Sequence, residues 1–446
     1  MRIVIAGAGD MGTHLAKMLS GNGHDITVVD VEPKALVEVG NLVDVVTVEG
    51  DTTQFSVLRK AGVRKCDLFI AVRSVQNDNI LSAVMAKQLG AKKAIARVDS
   101  SEYLEPNSKE VFIDMGIDYI FYPEQIAARE VINLLGHTST TEYVDFAGGK
   151  LSMVAFRLVL TSPLLGRKVI DTSSSDDDLE YRTVAIVRGS RTIIPTADDR
   201  YEEEDMIYVL TRHSATQKVV ELSGRREYEI RNMMILGGSR IGVRIANELQ
   251  NDINVKLVDY NADKAYRLAE MLDKTLIINE DGRDTEAMME EDLSSMDAFV
   301  AVTGRSETNI LAAMLAKRMG VKRVIAEVEN INYISLAESI GVDTIINKKL
   351  VTASNIFRFT MTTDVQSIKC LTGSQAEVLE FIVKPNSEAT KSRVRDLGLP
   401  SDAVIGGVVR GDRVFIAVDD TQINAYDKVV VFAMPDSVMR VAEFFN

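Results

Sequence analysis

The chain repeats itself, and this repeat limits its possible folds more than any other feature of the 446 residues. The segment IVIAGAGDMG recurs as MILGGSRIG, which pairs Gly7 with Gly237 at an offset of 230 residues. The same offset pairs Asp51 with Asp281, and it pairs the segment AVRSVQNDNI with AVTGRSETNI. One register that holds over about 90 residues indicates a duplicated unit.

Short apolar runs alternate with amphipathic segments within each copy. The runs of the first copy are IVIAG, ITVVD, VVTVEG, LFIAV and AIARV, and those of the second are MMILGG, VKLVDY, TLIIN, AFVAV and RVIAEV. Between the runs of the first copy, THLAKMLSGNG and NILSAVMAKQLG have apolar residues at helical spacing and end in glycine. Alternation of strands and helices predicts an α/β fold with a doubly wound, Rossmann-like parallel sheet in each copy.

A different, strand-rich segment follows each copy. After the first copy come MVAFRLVL, RTVAIVRGSRTIIP and DMIYVL, and after the second come EVLEFIV, AVIGGVVRGDRVFIA and DKVVVFA. The matching turns RGSR and RGDR indicate a hairpin in each segment. We therefore expect each Rossmann-like domain to be followed by a small α+β domain whose strands do not join the parallel sheet.

This pattern predicts six segments along the chain. They are a Rossmann-like domain over 1–123, a connecting helix and linker over 124–141, a small domain over 142–222, a second Rossmann-like domain over 231–350, a second connecting helix and linker over 351–369, and a second small domain over 370–446. The polar stretches GHTSTT at 136–141 and ELSGRREYEI at 221–230 are candidate hinges.

The first glycine-rich turn has the context of a dinucleotide-binding loop, because it follows a strand and opens a helix. Gly7 permits the tight turn, Gly9 lets the backbone approach a pyrophosphate, and Gly12 lets the helix pack close to the strand. The N–H groups at the helix N-terminus can then bind phosphate. The whole predicted loop consists of Gly7, Ala8, Gly9, Asp10, Met11 and Gly12.

Three residues at the ends of the following strands complete this prediction. Asp30 ends the second strand, where its carboxylate can accept hydrogen bonds from the ribose hydroxyls. It would repel a 2′-phosphate, so NAD(H) or an adenine nucleotide is favoured over NADP. Arg73 and Arg97 end the fourth and fifth strands, from which they can reach the phosphates, although the alternative for each is an ordinary surface arginine.

The second copy departs from the first in its charges. Its loop consists of Gly237, Gly238, Ser239, Arg240, Ile241 and Gly242, with Ser239 in the position of the middle glycine. Asp259 keeps the ribose carboxylate, Arg240 adds a cation where the first copy has Asp10, and Glu327 replaces Arg97. We expect the two sites to differ in ligand preference, with the second either weaker or binding ADP or ATP.

Composition excludes several classes of protein. A formal net charge of −14 disfavours general nucleic-acid binding. Two distant cysteines, Cys66 and Cys370, indicate neither a disulfide framework nor a zinc site. The N-terminus lacks the features of a signal peptide, and no apolar run approaches the ~18 residues of a membrane helix. We expect a cytoplasmic protein that reaches a membrane only by docking on a membrane-spanning partner.

Residues with catalytic chemistry are not apparent. The histidines are predicted to be surface residues without the spacing of a metal site or catalytic triad; they are His14, His24, His137 and His213. Three aspartates at 176–178 are better explained by a solvated loop than by a cation site. A dehydrogenase needs a general acid or base beside the nicotinamide. We therefore predict no catalytic residue and no metal, and keep an NAD-dependent oxidoreductase as the alternative.

Together these segments resemble the TrkA family, the regulatory proteins of Trk potassium-uptake systems in bacteria and archaea. The resemblance covers essentially the whole chain and is carried by IVIAGAGDMG, ITVVD, VEGDTT, AVRSVQNDNI and IARV, by MILGGSRIG and AVTGRSETNI, and by the two small domains. It implies two RCK domains, each with a nucleotide-binding N-lobe and a smaller C-lobe.

The resemblance also implies ligands and partners. NAD(H) would contact the loop at 7–12, Asp30, Arg73 with Ser74, and Arg97. The remaining positions assigned to the two sites are Asp51, Thr52, Asp281 and Thr303. The chain would be a homo-oligomer, a dimer or tetramer forming an RCK ring, peripheral on the inner face of the membrane. Its partner would be a TrkH- or TrkG-like integral-membrane potassium transporter, and the alternative is a nucleotide-sensing subunit of another transporter.

Overall fold

The first half of the chain opens with a six-stranded parallel sheet. The computed structural model describes residues 1–21, 23–172, 180–189, 191–225, 227–360, 365–371, 374 and 376–445. The strands are β1 (Arg2–Ala6), β2 (Asp25–Asp30), β3 (Val46–Glu49), β4 (Leu68–Ala71), β5 (Lys93–Arg97) and β6 (Tyr119–Phe121). Their order β3-β2-β1-β4-β5-β6 is that of a Rossmann fold, so the carboxyl ends of β1 to β5 meet at one edge.

Within the described residues, six α-helices connect or follow these strands. They are α1 (Asp10–Ser20), α2 (Pro33–Leu42), α3 (Phe55–Lys60), α4 (Gln76–Leu89), α5 (Pro106–Asp114) and α6 (Pro123–Leu135). Gly90 ends α4 with a φ of +112°, a left-handed conformation that favours glycine.

An antiparallel sheet follows, separate from the parallel one. Its strands are β7 (Glu142–Phe146), β8 (Leu151–Arg157), β9 (Tyr181–Arg188), β10 (Arg191–Ile193) and β11 (Met206–Arg212), and α7 (Thr216–Glu221) follows them. The order is β10-β9-β11-β8-β7. The hairpin predicted at RGSR joins β9 to β10, with Arg188 paired to Arg191.

The second half repeats both sheets. Its parallel strands are β12 (Asn232–Leu236), β13 (Asn254–Val258), β14 (Leu276–Ile278), β15 (Ala298–Ala301), β16 (Arg323–Glu327) and β17 (Thr344–Ile346), in the order β14-β13-β12-β15-β16-β17. The helices are α8 (Arg240–Leu249), α9 (Ala262–Met271), α10 (Thr285–Glu290), α11 (Ser306–Arg318), α12 (Ile334–Ser339) and α13 (Lys348–Phe357).

The chain ends with the second antiparallel sheet. Its strands are β18 (Val365–Cys370), β19 (Glu377–Ile382), β20 (Ala403–Arg410), β21 (Arg413–Ile416) and β22 (Lys428–Ala433), in the order β18-β19-β22-β20-β21, and α14 (Pro435–Phe444) follows. The predicted fold class is confirmed, with two doubly wound parallel sheets each followed by a small α+β domain. The apolar runs of the sequence do not cover β6, β7, β17 or β18, because β6 and β17 have only three residues and β7 and β18 contain charged or polar residues.

The chain forms two compact units, and each takes its connecting helix from the other half. One unit comprises 1–126 with 349–362, and the other comprises 127–348 with 363–446. In the second unit, Ala127, Ala128 and Val131 of α6 share a core with Met233 and Ile235 of β12. Most of α13 belongs to the unit of the first parallel sheet. The connecting helices are therefore exchanged between the halves.

The two antiparallel sheets pack together within the second unit. Side chains of both sheets form one core, which includes Leu151 and Leu210 from the first and Phe432 from the second. Gly407 permits this close approach, because a Cβ there would lie 2.9 Å from Leu210 Cδ2. Arg182 donates a 2.7 Å hydrogen bond across the contact to the carbonyl oxygen of Ala417.

The two polar stretches predicted as hinges are fastened to each other. Thr138 in the first stretch donates its hydroxyl proton to the carbonyl oxygen of Tyr228 in the second, at 3.0 Å. The N–H of Tyr228 donates back to the Thr138 hydroxyl oxygen at 3.1 Å. Thr138 and its two successors, Ser139 and Thr140, are buried. The joints are thus held by reciprocal hydrogen bonds in this structure.

Candidate nucleotide sites

The first glycine loop joins β1 to α1, and its three glycines meet different surroundings. Gly7 has a φ of +121°, and a Cβ there would lie 3.0 Å from the backbone nitrogen of Arg73. A Cβ on Gly12 would lie 1.8 Å from the carbonyl oxygen of Gly7. Gly9 differs, because no described atom outside its chain neighbours lies within 4 Å of a Cβ there. Packing requires Gly7 and Gly12, whereas Gly9 faces open space that can admit a phosphate.

The helix after this loop has an uncapped N-terminus. Helix α1 begins at Asp10 with Gly9 as its N-cap, and no side chain in the described part of the chain caps it. Met11, in the first turn, has a buried side chain. It can therefore contact a ligand only through its backbone N–H. Free N–H groups at a helix N-terminus bind anions. The open space at Gly9 and these donors fit the pyrophosphate of a dinucleotide.

Asp30 at the end of β2 is joined to the same loop. Its Oδ2 accepts a 2.6 Å hydrogen bond from the N–H of Ala8, and its Oδ1 accepts one from Glu32 at 3.0 Å. These bonds hold the carboxylate beside the loop. Each oxygen has a second lone pair, with which the carboxylate can accept from ribose hydroxyls.

Charged side chains from β3 and β4 converge at this edge of the sheet. The Arg73 Nη1 atom lies 3.3 Å from Asp51 Oδ1 and 3.0 Å from Asp78 Oδ2. A hydrogen bond from the N–H of Thr53 holds the pKa of Asp51 below its usual range, with a smaller contribution from Arg73. Thr52 is fully buried, and its Oγ1 has no hydrogen-bond partner among the described residues.

The fifth strand places Arg97 near two acids. Arg97 Nη2 lies 3.0 Å from Asp99 Oδ1 and 3.9 Å from Glu124 Oε1 at the start of α6. The structure thus brings Arg97 to the predicted strand end, where it faces carboxylates. Ser74, just after β4, is exposed.

Asn79, a residue to which the sequence assigned no role, fixes the ends of β4 and β5. It is fully buried, and its Oδ1 accepts from the N–H of Arg73 at 2.8 Å. Its amide donates to the carbonyl oxygens of Arg73 at 2.8 Å and Arg97 at 3.1 Å. Asn309 makes the same three bonds in the second half, to Thr303 and to Glu327. The repeated register showed the Asn79–Asn309 pair but not its function.

The second glycine loop borders a cavity of about 300 Å³. Five residues predicted for the second site line it, namely Gly237, Ser239, Asp259, Asp281 and Thr303. The other predicted residues lie in the same loop or the first turn of α8, with Ile241 buried and Arg240 exposed. Gly242 repeats the role of Gly12, since a Cβ there would lie 2.1 Å from the Gly237 carbonyl oxygen.

Two interactions in the second loop are absent from the described part of the first. Ser239 caps α8 by accepting a 3.3 Å hydrogen bond from the N–H of Gly242 at its Oγ. Asp259 is buried, and its Oδ2 lies 2.8 Å from Lys264 Nζ, the second such interaction. The same oxygen accepts from the N–H of Gly238 at 2.9 Å, as Asp30 accepts from Ala8 in the first loop. Burial raises the pKa of Asp259, but hydrogen bonds from Lys264 and two N–H groups outweigh it and hold the pKa low.

Gly238 makes room for this lysine. A Cβ at Gly238 would lie 3.3 Å from Lys264 Cε and 2.4 Å from Leu268 Cδ1. The first half has Ala8 at the position of Gly238, and, counted from the strand-end acids Asp30 and Asp259, it has Ala35 at the position of Lys264. The sequence carried little signal for the Lys264–Asp259 pair, because the first copy also has a lysine, Lys34, four residues after its strand-end acid.

Charges at the remaining strand ends also differ between the sites. Arg283 forms an ion pair of 2.6 Å with Asp281, and its hydrogen bonds lower the pKa of Asp281 to about 2. Glu327, which replaces Arg97, is buried 3.7 Å from Lys348 Nζ at the start of α13. In the first site Arg97 at the end of β5 faces Glu124 of α6. In the second site the charges are reversed, because Glu327 at the end of β16 faces Lys348 of α13.

The prediction that all four histidines are surface residues is wrong for His24, which is buried, and overstated for His14. Burial lowers the pKa of His14 to about 4, with Lys349 and Lys17 contributing, and its Nε2 has no hydrogen-bond partner within the described ranges. His137 is partly buried and its ring stacks on Tyr143.

In the described segments, no group of three or more His, Cys, Asp or Glu residues could hold a metal ion. The aspartates at 176–178 lie outside the described residues.

Comparison with known proteins matches the whole chain. The TrkA-N domain model matches residues 3–123 and 233–348, and the TrkA-C domain model matches residues 378–446. The Trk system potassium uptake protein TrkA of Halomonas elongata is 31% identical over 99% of this chain and 98% of its own length. The TrkA homolog of Archaeoglobus fulgidus is 32% identical over 100% of both chains.

The chain belongs to the TrkA family. Solved structures agree with this assignment at the level of fold. The crystal structure of the GsuK RCK domain covers 98% of this TrkA-family chain and 93% of its own, with a TM-score of 0.61 and 16% identity. The GsuK channel bound to NAD covers 99% of this chain and 78% of its own, also with a TM-score of 0.61 and 16% identity.

One residue near the first site of this TrkA-family chain comes from the far end of the sequence. Lys349 in α13 places its Nζ 2.7 Å from Asp10 Oδ2 in the first glycine loop, and its side chain is 14% exposed. Its position follows from the exchange of connecting helices. A pattern within one copy carries no signal of such an exchange. Among the described residues, no helix is long and apolar enough to cross a membrane.

Proposed function

We propose that this chain is a nucleotide-sensing regulatory subunit of a Trk-type potassium uptake system. It binds NAD(H) at its first site and adjusts potassium transport through a membrane partner. One observation carries the proposal: open space at Gly9, the uncapped start of α1 and the Asp30 carboxylate adjoin one another. This arrangement has a place for a pyrophosphate and for the ribose hydroxyls beside it.

Relatives support this assignment. The curated relatives that match over essentially the whole chain are Trk system potassium uptake proteins. A channel of the same fold is described as bound to NAD. If this chain shares the role in potassium uptake of the first group and the NAD binding of the second, it senses nicotinamide nucleotides and regulates potassium uptake.

The second site is proposed to bind more weakly or to take ADP or ATP. Asp259 is engaged by Lys264, so a ribose hydroxyl must compete with an ion pair for the carboxylate. Ser239 uses an N–H of α8 that would otherwise face a phosphate. Both features reduce affinity for a dinucleotide. Arg240 adds an exposed cation beside this loop, which favours a ligand with more phosphate charge.

Regulation would act through the connecting helices. A ligand shifts an equilibrium between conformations only by its different affinity for each. A phosphate near Asp10 changes the electrostatic potential at Lys349. Lys349 lies in the first turn of α13, which is covalently continuous with the second half. Coupling of about 1–3 kcal/mol between site and partner gives a several-fold change in activity.

The proposed assembly follows the family. The chain would form a homo-oligomeric RCK ring, a dimer or tetramer, peripheral on the cytoplasmic face of the membrane. Its partner would be a TrkH- or TrkG-like transporter. No catalytic residue is proposed.

Potassium uptake provides the test. Cells that lack this gene and express the chain should take up potassium at a rate that depends on Asp30. Asp30→Ala should lower the regulated part of uptake several-fold, while Asp259→Ala serves as the matched variant of the other site. If Asp30→Ala restores uptake as fully as the wild type, the first site has no regulatory role.

The rival function is an NAD-dependent oxidoreductase. It predicts that metabolites added with the purified chain change the absorbance of the reduced nicotinamide as NADH is oxidised. Our proposal predicts binding of NADH without turnover, together with capture of the membrane transporter from detergent extracts. Steady oxidation of NADH by any added carbonyl compound would favour the enzyme.

A further inference from the structure

A cluster of unpaired cations lies at the edge of the first parallel sheet opposite the glycine loop. The cluster, here called the basic edge, consists of Arg2, Arg59, Lys60, Arg64 and Lys65. Arg2 begins β1, and the other four surround the end of α3 and the turn before β4. A cavity of about 360 Å³ is lined by Arg2, Arg59, Arg64 and Lys65, together with Asp25.

These five side chains are available to a partner. All five residues are exposed, and in the described part of the chain no ion pair joins any of them to an acid. The neighbouring Lys92 differs, because it pairs with Asp67 at 2.7 Å. Asp25 is the one acid of the described cavity lining. A concentration of unpaired positive charge is unexpected in a chain whose net charge is −14.

The second half of the chain serves as an internal control for this cluster. At the offset of 230 residues the five cations correspond to Asn232, Met289, Glu290, Ser294 and Ser295. The matching elements α10 and the turn before β15 keep the same fold without any cation at these positions. The fold therefore does not need the basic edge, and its charge belongs to the first copy alone.

An aromatic side chain adjoins the cations. Phe55, on the same helix as Arg59, is 47% exposed, and the Arg59 guanidinium carbon lies 5.7 Å from its ring centroid. The second half has Thr285 at this position. Exposed aromatic rings beside arginine and lysine are the combination that binds at a membrane interface.

We propose that the basic edge docks on the phosphodiester headgroups of an anionic lipid surface. The basic edge itself is observed in the structure, and only the assumption that a membrane lies nearby rests on the proposed function. Cytoplasmic loops of membrane proteins are rich in lysine and arginine, so they would repel this cluster. The cytoplasmic leaflet is negative and attracts clustered cations. The lipid surface, rather than a loop of the transporter, is thus the partner that fits the charge.

Vesicle flotation of the full chain tests the proposal without any transporter. The wild type should float with vesicles of phosphatidylglycerol and phosphatidylcholine, and stay behind with phosphatidylcholine alone. Arg59→Glu/Arg64→Glu should lower the vesicle-bound fraction at least about ten-fold, since each cation contributes about five-fold near a charged surface. Lys274→Glu/Arg318→Glu makes the same charge change at exposed positions of the second half and should bind within about two-fold of the wild type.

An unchanged melting temperature shows that each variant is folded, and Arg59→Gln/Arg64→Gln gives a milder change with an intermediate loss. Two results would overturn the proposal. One is a wild type that ignores phosphatidylglycerol vesicles, which would leave an acidic protein segment as the partner. The other is equal loss in the control variant, which would attribute binding to net charge. Because no potassium transport is measured, failure here leaves the proposed nucleotide function untouched.

Discussion

The ammonium group of Lys349 lies 2.7 Å from the carboxylate of Asp10, although the two residues are 339 positions apart. Asp10 is 79% exposed in the first glycine loop, whereas Lys349 is mostly covered at the start of α13. The pair joins the connecting helix of the second half to the phosphate loop of the first site. It also balances a negative charge in a loop proposed to bind phosphate.

Removal of Lys349 should weaken nucleotide binding at the first site. In Lys349→Met the Asp10 carboxylate has no partner there and repels the incoming phosphates. We expect the affinity for NADH to fall about ten-fold, or ~1.4 kcal/mol, with little change for adenosine, which has no phosphate. Calorimetric titration measures both. Asp10→Asn in the same chain should restore NADH binding, and an unchanged affinity in Lys349→Met alone would show that the pair is unrelated to the ligand.

The glycines of the first loop should separate stability from binding. Gly9→Ala places its methyl group in open space, so the melting temperature should fall much less than in Gly12→Ala while NADH affinity falls at least about ten-fold. Gly12→Ala drives its methyl group into the Gly7 carbonyl oxygen and should cost about 1–3 kcal/mol of unfolding free energy. Thermal melting and NADH titration of both variants check this. Normal NADH binding by Gly9→Ala would exclude a close phosphate.

Asn79 should prove to be a positioning residue for the first site. Asn79→Ala leaves the backbone groups at the ends of β4 and β5 unpaired, and we expect a loss of about 2–3 kcal/mol in unfolding free energy. NADH binding at the first site should weaken, because Arg73 and Arg97 are no longer fixed. Asn309→Ala is the matched control, with a similar cost in stability and no effect on the first site. An equal loss of NADH affinity in both variants would contradict a positioning role for Asn79.

Sequence alone was sufficient for much of the fold and for part of the sites. Glycine loops and strand-end acids such as Asp30 and Asp259 follow from local rules, so their elements could be predicted. The Lys349–Asp10 contact could not, because it depends on which half each connecting helix packs against. The contact of Arg97 with Glu124 was also hidden, since Glu124 lies on a helix that has no fixed register with β5 in the sequence.

Stability should respond to pH through a buried acid of the second small domain. Glu377 is 6% exposed, its Oε2 has no hydrogen-bond partner among the described residues, and burial raises its pKa to about 7. The folded chain therefore binds this proton more tightly than the unfolded chain does, so stability declines as the pH rises from about 4.5 to 7 and stays lower above it.

Glu377→Gln removes this titration. We expect the variant to gain about 2 kcal/mol of unfolding free energy at pH 8 and little at pH 4.5, where the wild-type carboxyl is protonated when folded. Urea unfolding at the two pH values measures the difference. An equal change in unfolding free energy at both pH values would contradict this prediction, because it would mean that Glu377 does not titrate between them.

Calorimetric titration of NADH into the wild type, Asp30→Ala and Asp259→Ala bears most directly on nucleotide sensing. We predict that Asp30→Ala abolishes the tighter binding event or weakens it at least about ten-fold, while Asp259→Ala leaves that event in place. Asp30→Asn, which keeps the shape of the side chain, should retain the fold and bind with intermediate affinity. Unchanged NADH binding in Asp30→Ala, or no binding by the wild type, would contradict the assignment of the first glycine loop as a nucleotide site.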